Sequence, residues 1–340
     1  MNALPEPTAI NEIDADALLA DPARWTQAAQ PWVARSLVDD WPLVSAANES
    51  DSAFLDYLLG FYSGNQVSAF LGEADIGGRF FYNEALFGLI FLQVQTTLNN
   101  LSEQLRTLAT DESPPSLYMG STNLDHWLPG LSGANPLPIN LTQPLASLWL
   151  GNRSLIAPHF DFPSNIACCV AGRRRFLLFP PDQVANLYVG PWDLTPAGQA
   201  ISLVDTRNPD LQRHPNFEKA MTHALTAELR PGDVIYLPSL WWHQVESLSA
   251  VNGLVNYWWT ETSAVYGAPM DALTHALMAI KSLPGAQKSA WKALFDYYVF
   301  SETADDRDYW QTPRQDRSGP IDDSLARRLR AELTNHLKRQ

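Results

Sequence analysis

From about Ser113 to Thr262 the chain is cut repeatedly by Pro and Gly, as in Ser113-Pro-Pro-Ser and Leu128-Pro-Gly-Leu-Ser-Gly-Ala-Asn-Pro-Leu-Pro. The runs between the cuts are short and apolar or alternating, which is the signature of strands and turns. Strands are predicted at 147–150, 166–170, 176–179, 200–204, 227–229, 234–237 and 253–259. Such a series has to hide its edges. A jelly roll, or double-stranded β-helix, does so by closing on itself, and it leaves an interior site.

The flanking segments read differently. Residues 14–62 carry helical spacing in two pieces, the second opening at Ser50 or Asp51 and placing Phe54, Leu55, Leu58, Leu59 and Phe61 on one side. Between them, 31–42 reads as a short strand followed by a turn. Residues 66–71 and 79–82 add two strands, and the stripe Leu86, Leu89, Ile90, Val94, Leu98, Leu101 and Leu105 predicts one long helix over 84–108. Beyond Pro269, helices are predicted over 270–283, 287–300 and 322–337. The expected fold is mainly β with flanking helices, in three regions: N-terminal helical and strand elements over 1–112, a β core over 113–265 and C-terminal helices over 266–340. Trp291, Leu294, Phe295, Tyr298 and Phe300 of the C-terminal helices serve either intramolecular packing or a homodimer interface.

Composition narrows the classes of function. A net charge of −14 speaks against phosphate-led nucleic-acid binding, which needs a surplus of Lys and Arg on one face. The apolar run at 85–92 is far too short to span a bilayer, and 1–20 lacks the basic segment and apolar core of a secretory signal. The expectation is a cytoplasmic protein with no membrane contact. Cys168 and Cys169 are adjacent in a strand-like run, so they point to opposite faces and read as reduced fillers. Alternation also governs Gly172-Arg173-Arg174-Arg175, where at least one arginine points away from the other two.

Chemistry concentrates at Ile156-Ala-Pro-His159-Phe-Asp161-Phe-Pro-Ser-Asn165, where extended spacing puts an imidazole and a carboxylate on one face. A further imidazole, His243, follows the turn Pro231-Gly-Asp and the run Val-Ile-Tyr-Leu-Pro, at the end of the same predicted strand. Two histidines and one carboxylate are the ligand set of a non-haem Fe(II) oxygenase, and they leave three positions of an octahedral iron open. Trp241, Trp242, Trp258 and Trp259 supply shielding for such a site, or in part plain core. His126, His214, His223 and His275 read as structural or surface residues.

His159-Phe-Asp161, Phe179-Pro-Pro-Asp-Gln, Pro231-Gly-Asp-Val-Ile-Tyr-Leu-Pro238 and Trp241-Trp-His243, in this order, resemble the Jumonji C class of Fe(II)- and 2-oxoglutarate-dependent oxygenases, and within it asparaginyl hydroxylases and bacterial cupin-like members. The likeness is strongest from 118 to 259 and extends more loosely to 31–42. It implies a jelly roll of the cupin/Jumonji C type, with His159, Asp161 and His243 as iron ligands and 2-oxoglutarate as the chelating cosubstrate. Where the family usually places a Lys for the far carboxylate, this chain has Arg174, whose planar fork can grip a carboxylate bidentately. Asn165, Asn256 and Tyr118 match positions that hydrogen-bond the cosubstrate, whereas Ile156 stands where a hydroxyl residue often helps. The implied reaction is hydroxylation of a carbon centre, a protein side chain being the preferred substrate and a small metabolite or a modified RNA base the alternatives. The departures at Ile156 and Arg174 also keep open a cupin-type binding or regulatory module without turnover.

Overall fold

Fifteen strands form among the residues described in this computed structural model, 4–301 and 321–338. In chain order they are β1 (Thr8–Ala9), β2 (Asn11–Ile13), β3 (Trp32–Ala34), β4 (Val67–Gly72), β5 (Arg79–Phe80), β6 (Leu92–Thr96), β7 (Ser116–Asn123) and β8 (Leu145–Gly151). They continue as β9 (Ser154–His159), β10 (Ser164–Ala171), β11 (Arg174–Phe179), β12 (Leu225–Leu229), β13 (Val234–Leu237), β14 (Trp242–Ser247) and β15 (Asn252–Trp259). One sheet has the order β1-β12-β11-β14-β9-β5, the other β2-β3-β13-β10-β15-β8-β7-β4-β6. Neighbours distant in sequence are the mark of a jelly roll, in which the chain passes back and forth between two sheets.

Side-chain alternation builds two cores from these sheets. Ala167, Cys169, Ile235 and Leu254 of the larger sheet pack against Phe176, Leu178, Ala227 and Leu229 of the smaller one. On the opposite side of the larger sheet, Cys168, Val170, Leu148 and Val255 share a core with Leu43, Val44, Phe54, Leu55, Leu58, Leu101 and Leu105. Those partners come from helices Pro42–Glu49, Asp51–Leu59 and Leu98–Leu108. Each fully buried Leu, Val or Phe of this kind contributes roughly 1.5–3 kcal/mol. The two cysteines therefore lie back to back, free and buried, on opposite faces of β10.

Three expectations are corrected. Residues 84–108 are not one helix: Leu92-Gln-Val-Gln-Thr96 forms β6, paired antiparallel with β4. The helix begins at Leu98, where the Thr97 hydroxyl accepts from Asn100 N at 3.2 Å. The stripe misled because Ile90, Val94 and Leu98 are four apart, a spacing that keeps side chains on one face in a strand as well as in a helix. Residues 200–204 make only a bridge, Ser202 with Val189. His243 does not end the strand that follows Pro231-Gly-Asp, because Val234–Leu237 stops at Pro238 and His243 belongs to a new strand, β14. The segment 31–42 forms the expected short strand, β3, followed by turns over 35–40; a helix then opens with Pro42 in its first turn and the Asn135 amide oxygen accepting from Leu43 N at 2.9 Å.

The Pro231-Gly-Asp turn has a mechanical reason. Gly232 has φ +96°, and a Cβ there would collide with the Asp39 carboxylate. Asp233, buried, accepts from Arg230 N (3.0 Å), Ser36 N (3.1 Å) and Arg35 Nη1 (2.8 Å), so one carboxylate joins the entry of β13 to the end of β3. Asp233→Ala leaves three donors without their acceptor, and an expected loss of about 2–4 kcal/mol should appear as an earlier midpoint in urea unfolding.

The chain divides into two compact units, Met1–Trp259 and Thr260–Gln340. The second holds helices Pro269–Ile280, Gly285–Tyr298 and Asp323–Leu337, close to the predicted spans. The last opens on Asp322, whose carboxylate accepts from Leu325 N at 2.8 Å. Arg330 Nη1 donates to the Ala264 and Val265 carbonyls, both at 3.3 Å.

Candidate metal centre and cosubstrate cavity

His159 is the last residue of β9 and His243 the second of β14, and the antiparallel register sets them directly opposite each other. Their rings lie 4.3 Å apart between centroids. Between this pair and the next, Val245 with Ile156, the register shifts by one residue on β9. Pro158 occupies that bulge and cannot donate to the ladder, while its carbonyl accepts from Ser202 N at 2.8 Å. Asp161 lies just past β9 rather than within it. The ligand atoms of His159, Asp161 and His243 nonetheless all fall within 4.8 Å of one another, with His243 Nε2 3.7 Å from Asp161 Oδ2.

The surrounding contacts orient all three groups. His159 Nδ1 lies 2.9 Å from the Ala157 carbonyl and His243 Nδ1 2.9 Å from the Trp241 carbonyl. A carbonyl can only accept, so each ring carries its proton on Nδ1 and presents the Nε2 lone pair. Burial, reinforced by the neighbouring His243, pushes the His159 imidazole down to about 4 against the opposing pull of Asp161, which keeps it neutral at pH 7. Trp258 Nε1 donates to Asp161 Oδ2 at 3.3 Å. The 238–241 turn is fastened to the Asp161 segment twice: Leu240 N donates to the Asp161 carbonyl (2.9 Å) and the Ser239 hydroxyl to the Phe162 carbonyl (2.6 Å).

The triad opens onto a cavity of about 550 Å³. Arg174, Asn165, Asn256, Tyr118 and Ile156 all line it, so the structure brings the candidate metal ligands and the candidate cosubstrate residues into one cavity. Arg174 is 1 % exposed, whereas Arg173 and Arg175 point outward to Glu228 and Glu246, as strand alternation requires. Its titratable neighbours are Tyr118 and Cys169. Burial raises the Tyr118 phenol and pushes the Cys169 thiol up to about 12, so both are neutral and the guanidinium has no anionic partner. Burial also lowers Arg174 itself. Its Nε and Nη2 make no hydrogen bond within the protein. Asn256 Nδ2 donates to Asn165 Oδ1 at 2.8 Å, leaving Asn256 Oδ1 unpaired.

A pre-oriented His₂Asp set with both Nε2 atoms free of the Nδ1 contacts suits a divalent transition metal, and a buried cation with unpaired donors suits a carboxylate. Iron and a 2-oxo dicarboxylic acid therefore fit the residues present. Of the four tryptophans considered, only Trp258 reaches the cavity; Trp241, Trp242 and Trp259 pack into three separate cores. Sequence reasoning missed Phe70, Phe80, Phe91 and Trp149 of the cavity wall. Trp149 carried a signal, since an indole N–H in an apolar strand calls for an acceptor. Phe91 was hidden by the helix assignment.

A family model described as a cupin-like domain matches residues 20–264. Among curated proteins, the chain is similar to HSPB1-associated protein 1 of Homo sapiens (36 % identical over 43 % of this chain and 30 % of that protein). It is also similar to Lysine-specific demethylase JMJ31 of Arabidopsis thaliana (33 % identical, over 30 % of this chain and 18 % of that protein). A third relative is tRNA wybutosine-synthesizing protein 5 of Danio rerio (33 % identical, over 29 % and 28 %). The matched segment spans less than a third of the length of each of these three relatives.

Proposed function

The chain belongs to the cupin-like domain family, in its JmjC-type branch, and from that premise we propose that it is an Fe(II)- and 2-oxoglutarate-dependent oxygenase that hydroxylates a carbon centre. The observation that carries the reading is a single cavity holding both a convergent His₂Asp set and a buried guanidinium with two unpaired nitrogens. His159, Asp161 and His243 hold the metal. When bound, iron and cosubstrate supply the oxygen activation that turns 2-oxoglutarate into succinate and carbon dioxide and hydroxylates the substrate. The protein's own part is placement. The Ala157 and Trp241 carbonyls keep the imidazoles in the ligating tautomer, Trp258 steadies the carboxylate, and Arg174 takes the far acid group of the cosubstrate. Asn165 and Asn256, linked to each other, and Tyr118 offer further polar contacts, while Phe70, Phe80 and Phe91 exclude water.

A protein side chain is the substrate class we favour. Its support is a relative named for association with a protein and another named a lysine-specific demethylase. The relative named for wybutosine synthesis keeps RNA in the test, although a charge of −14 disfavours a polyanion. The asparaginyl-hydroxylase likeness is one reason to include asparagine-containing peptides. Among the described residues no helix is long and apolar enough to cross a membrane, and a cytoplasmic location is part of the proposal. Fe(II)-dependent succinate release over a panel of peptides, metabolites and tRNA tests the reading. No turnover together with no iron retained overturns it, and metal binding without turnover points to a binding module.

The C-terminal unit further suggests a homodimer. Helices Pro269–Ile280 and Gly285–Tyr298 bury no residue. Leu273, Leu277, Met278, Trp291, Leu294, Val299 and Phe300 are 36–71 % exposed. A second copy of the chain would cover these apolar side chains. Light scattering should show twice the 37.9 kDa chain mass for the wild type and a single chain for Trp291→Glu/Leu294→Asp. A monomeric wild type at micromolar concentration would contradict this.

A further inference from the structure

Several buried polar atoms of the cavity wall lack a protein partner: Arg174 Nε and Nη2, Asn256 Oδ1 and Trp149 Nε1. Buried polar atoms are almost always satisfied, so unpaired ones on residues that line a cavity mark where a ligand can complete the pairing. Trp149 is the one with no role in the reading above. It stands on β8 opposite Leu254 of β15. Its ring stacks on Tyr118 (5.8 Å between centroids, 24° between planes) and meets Trp258 edge-on (5.9 Å, 79°). It also packs in one cluster with Tyr118 and Ile156. Tyr118 in turn is a hydrogen-bonding neighbour of Arg174. The Trp149 ring thus belongs to the sector of the cavity that holds the guanidinium, in the same cluster as Ile156, which offers no donor.

We propose that Trp149 is a specificity-determining residue for the cosubstrate: its indole N–H donates to the far carboxylate of the oxo-acid alongside Arg174, supplying the hydrogen bond that Ile156 cannot. The inference rests on the oxygenase reading. It assigns the dicarboxylic requirement to two donors on two different sheets, one charged on β11 and one neutral on β8. A neutral donor adds direction to a contact whose charge Arg174 already balances. A carboxylate has lone pairs for both.

Trp149→Phe keeps an aromatic ring on Tyr118 and deletes only the donor and part of the ring. Binding to the Mn(II)-loaded protein would be followed by calorimetry for N-oxalylglycine, which has the far carboxylate, and by competition for oxamate, which lacks it. The expected result is a rise of about tenfold or more in Kd for N-oxalylglycine, less than a twofold change for oxamate, and unchanged Mn(II) content. Equal weakening of both ligands, or of neither, overturns the role of Trp149 and leaves the oxygenase reading standing. A wild type that binds metal and neither ligand overturns that reading and this inference with it. Should the variant not fold, the wild type decides: among its 12 tryptophan indoles, one N–H resonance should move downfield with N-oxalylglycine and not with oxamate. No such shift overturns the proposal.

Discussion

His159→Ala should leave a folded protein that retains no stoichiometric Fe(II) and releases no succinate, with metal affinity reduced at least about a hundredfold. The scale follows from the outer contacts, since losing a group that merely orients a ligand typically costs ~10–100-fold in metal affinity. Loss of a ligand must exceed that. His159 faces His243 across the β9–β14 ladder, and Ala in its place leaves two ligand atoms where three converge. Trp258→Phe provides the graded comparison, because it removes only the 3.3 Å hydrogen bond to Asp161. It should weaken metal binding by about tenfold. Metal analysis after gel filtration and succinate release measure both. Full iron retention by His159→Ala would remove the basis of the proposed centre.

Arg174→Met should move stability and cosubstrate binding in opposite directions. The guanidinium is buried with two unpaired nitrogens and only neutral neighbours, an arrangement that costs free energy until an anion arrives. A Met of similar length removes the charge and keeps the packing. The ligand-free protein should gain about 1–3 kcal/mol, seen as a Tm raised by ~2–8 °C, while N-oxalylglycine binding weakens by about a hundredfold. Arg174→Lys should recover part of the binding, as it keeps the charge without the fork. A variant that loses both stability and binding would mean that Arg174 is a structural residue.

The parts of this protein visible in its sequence are those governed by local rules. Alternation separated Arg174 from Arg173 and Arg175, and Cys168 from Cys169, before any tertiary contact was considered. The capped starts at Ser50 and Asp322 and the glycine turn at 232 are equally local. What stayed hidden depends on pairing. The strand β6 looked helical because four-residue spacing fits both periods, and only its ladder with β4 decides between them. Placing His243 at the second position of β14 required knowing that Val234–Leu237 ends at Pro238. The aromatic wall of Phe70, Phe80, Phe91 and Trp149 draws on β4, β5, β8 and the segment before β6, which no sequence window contains.

The two hydrogen bonds from the 238–241 turn to Asp161 and Phe162 make the centre a property of the closed barrel. One ligand-bearing segment cannot swing away without releasing the other, and both are anchored in the β9–β14 ladder. An unfolded chain would offer the same three side chains scattered far apart. A metal held there would therefore add its binding free energy to the cooperative stability of the whole first unit, about 2.7 kcal/mol when free metal exceeds Kd a hundredfold. Occupancy and folding then become one coupled equilibrium, so a substitution far from the cavity that strains the barrel would lower the apparent affinity for metal without touching a ligand.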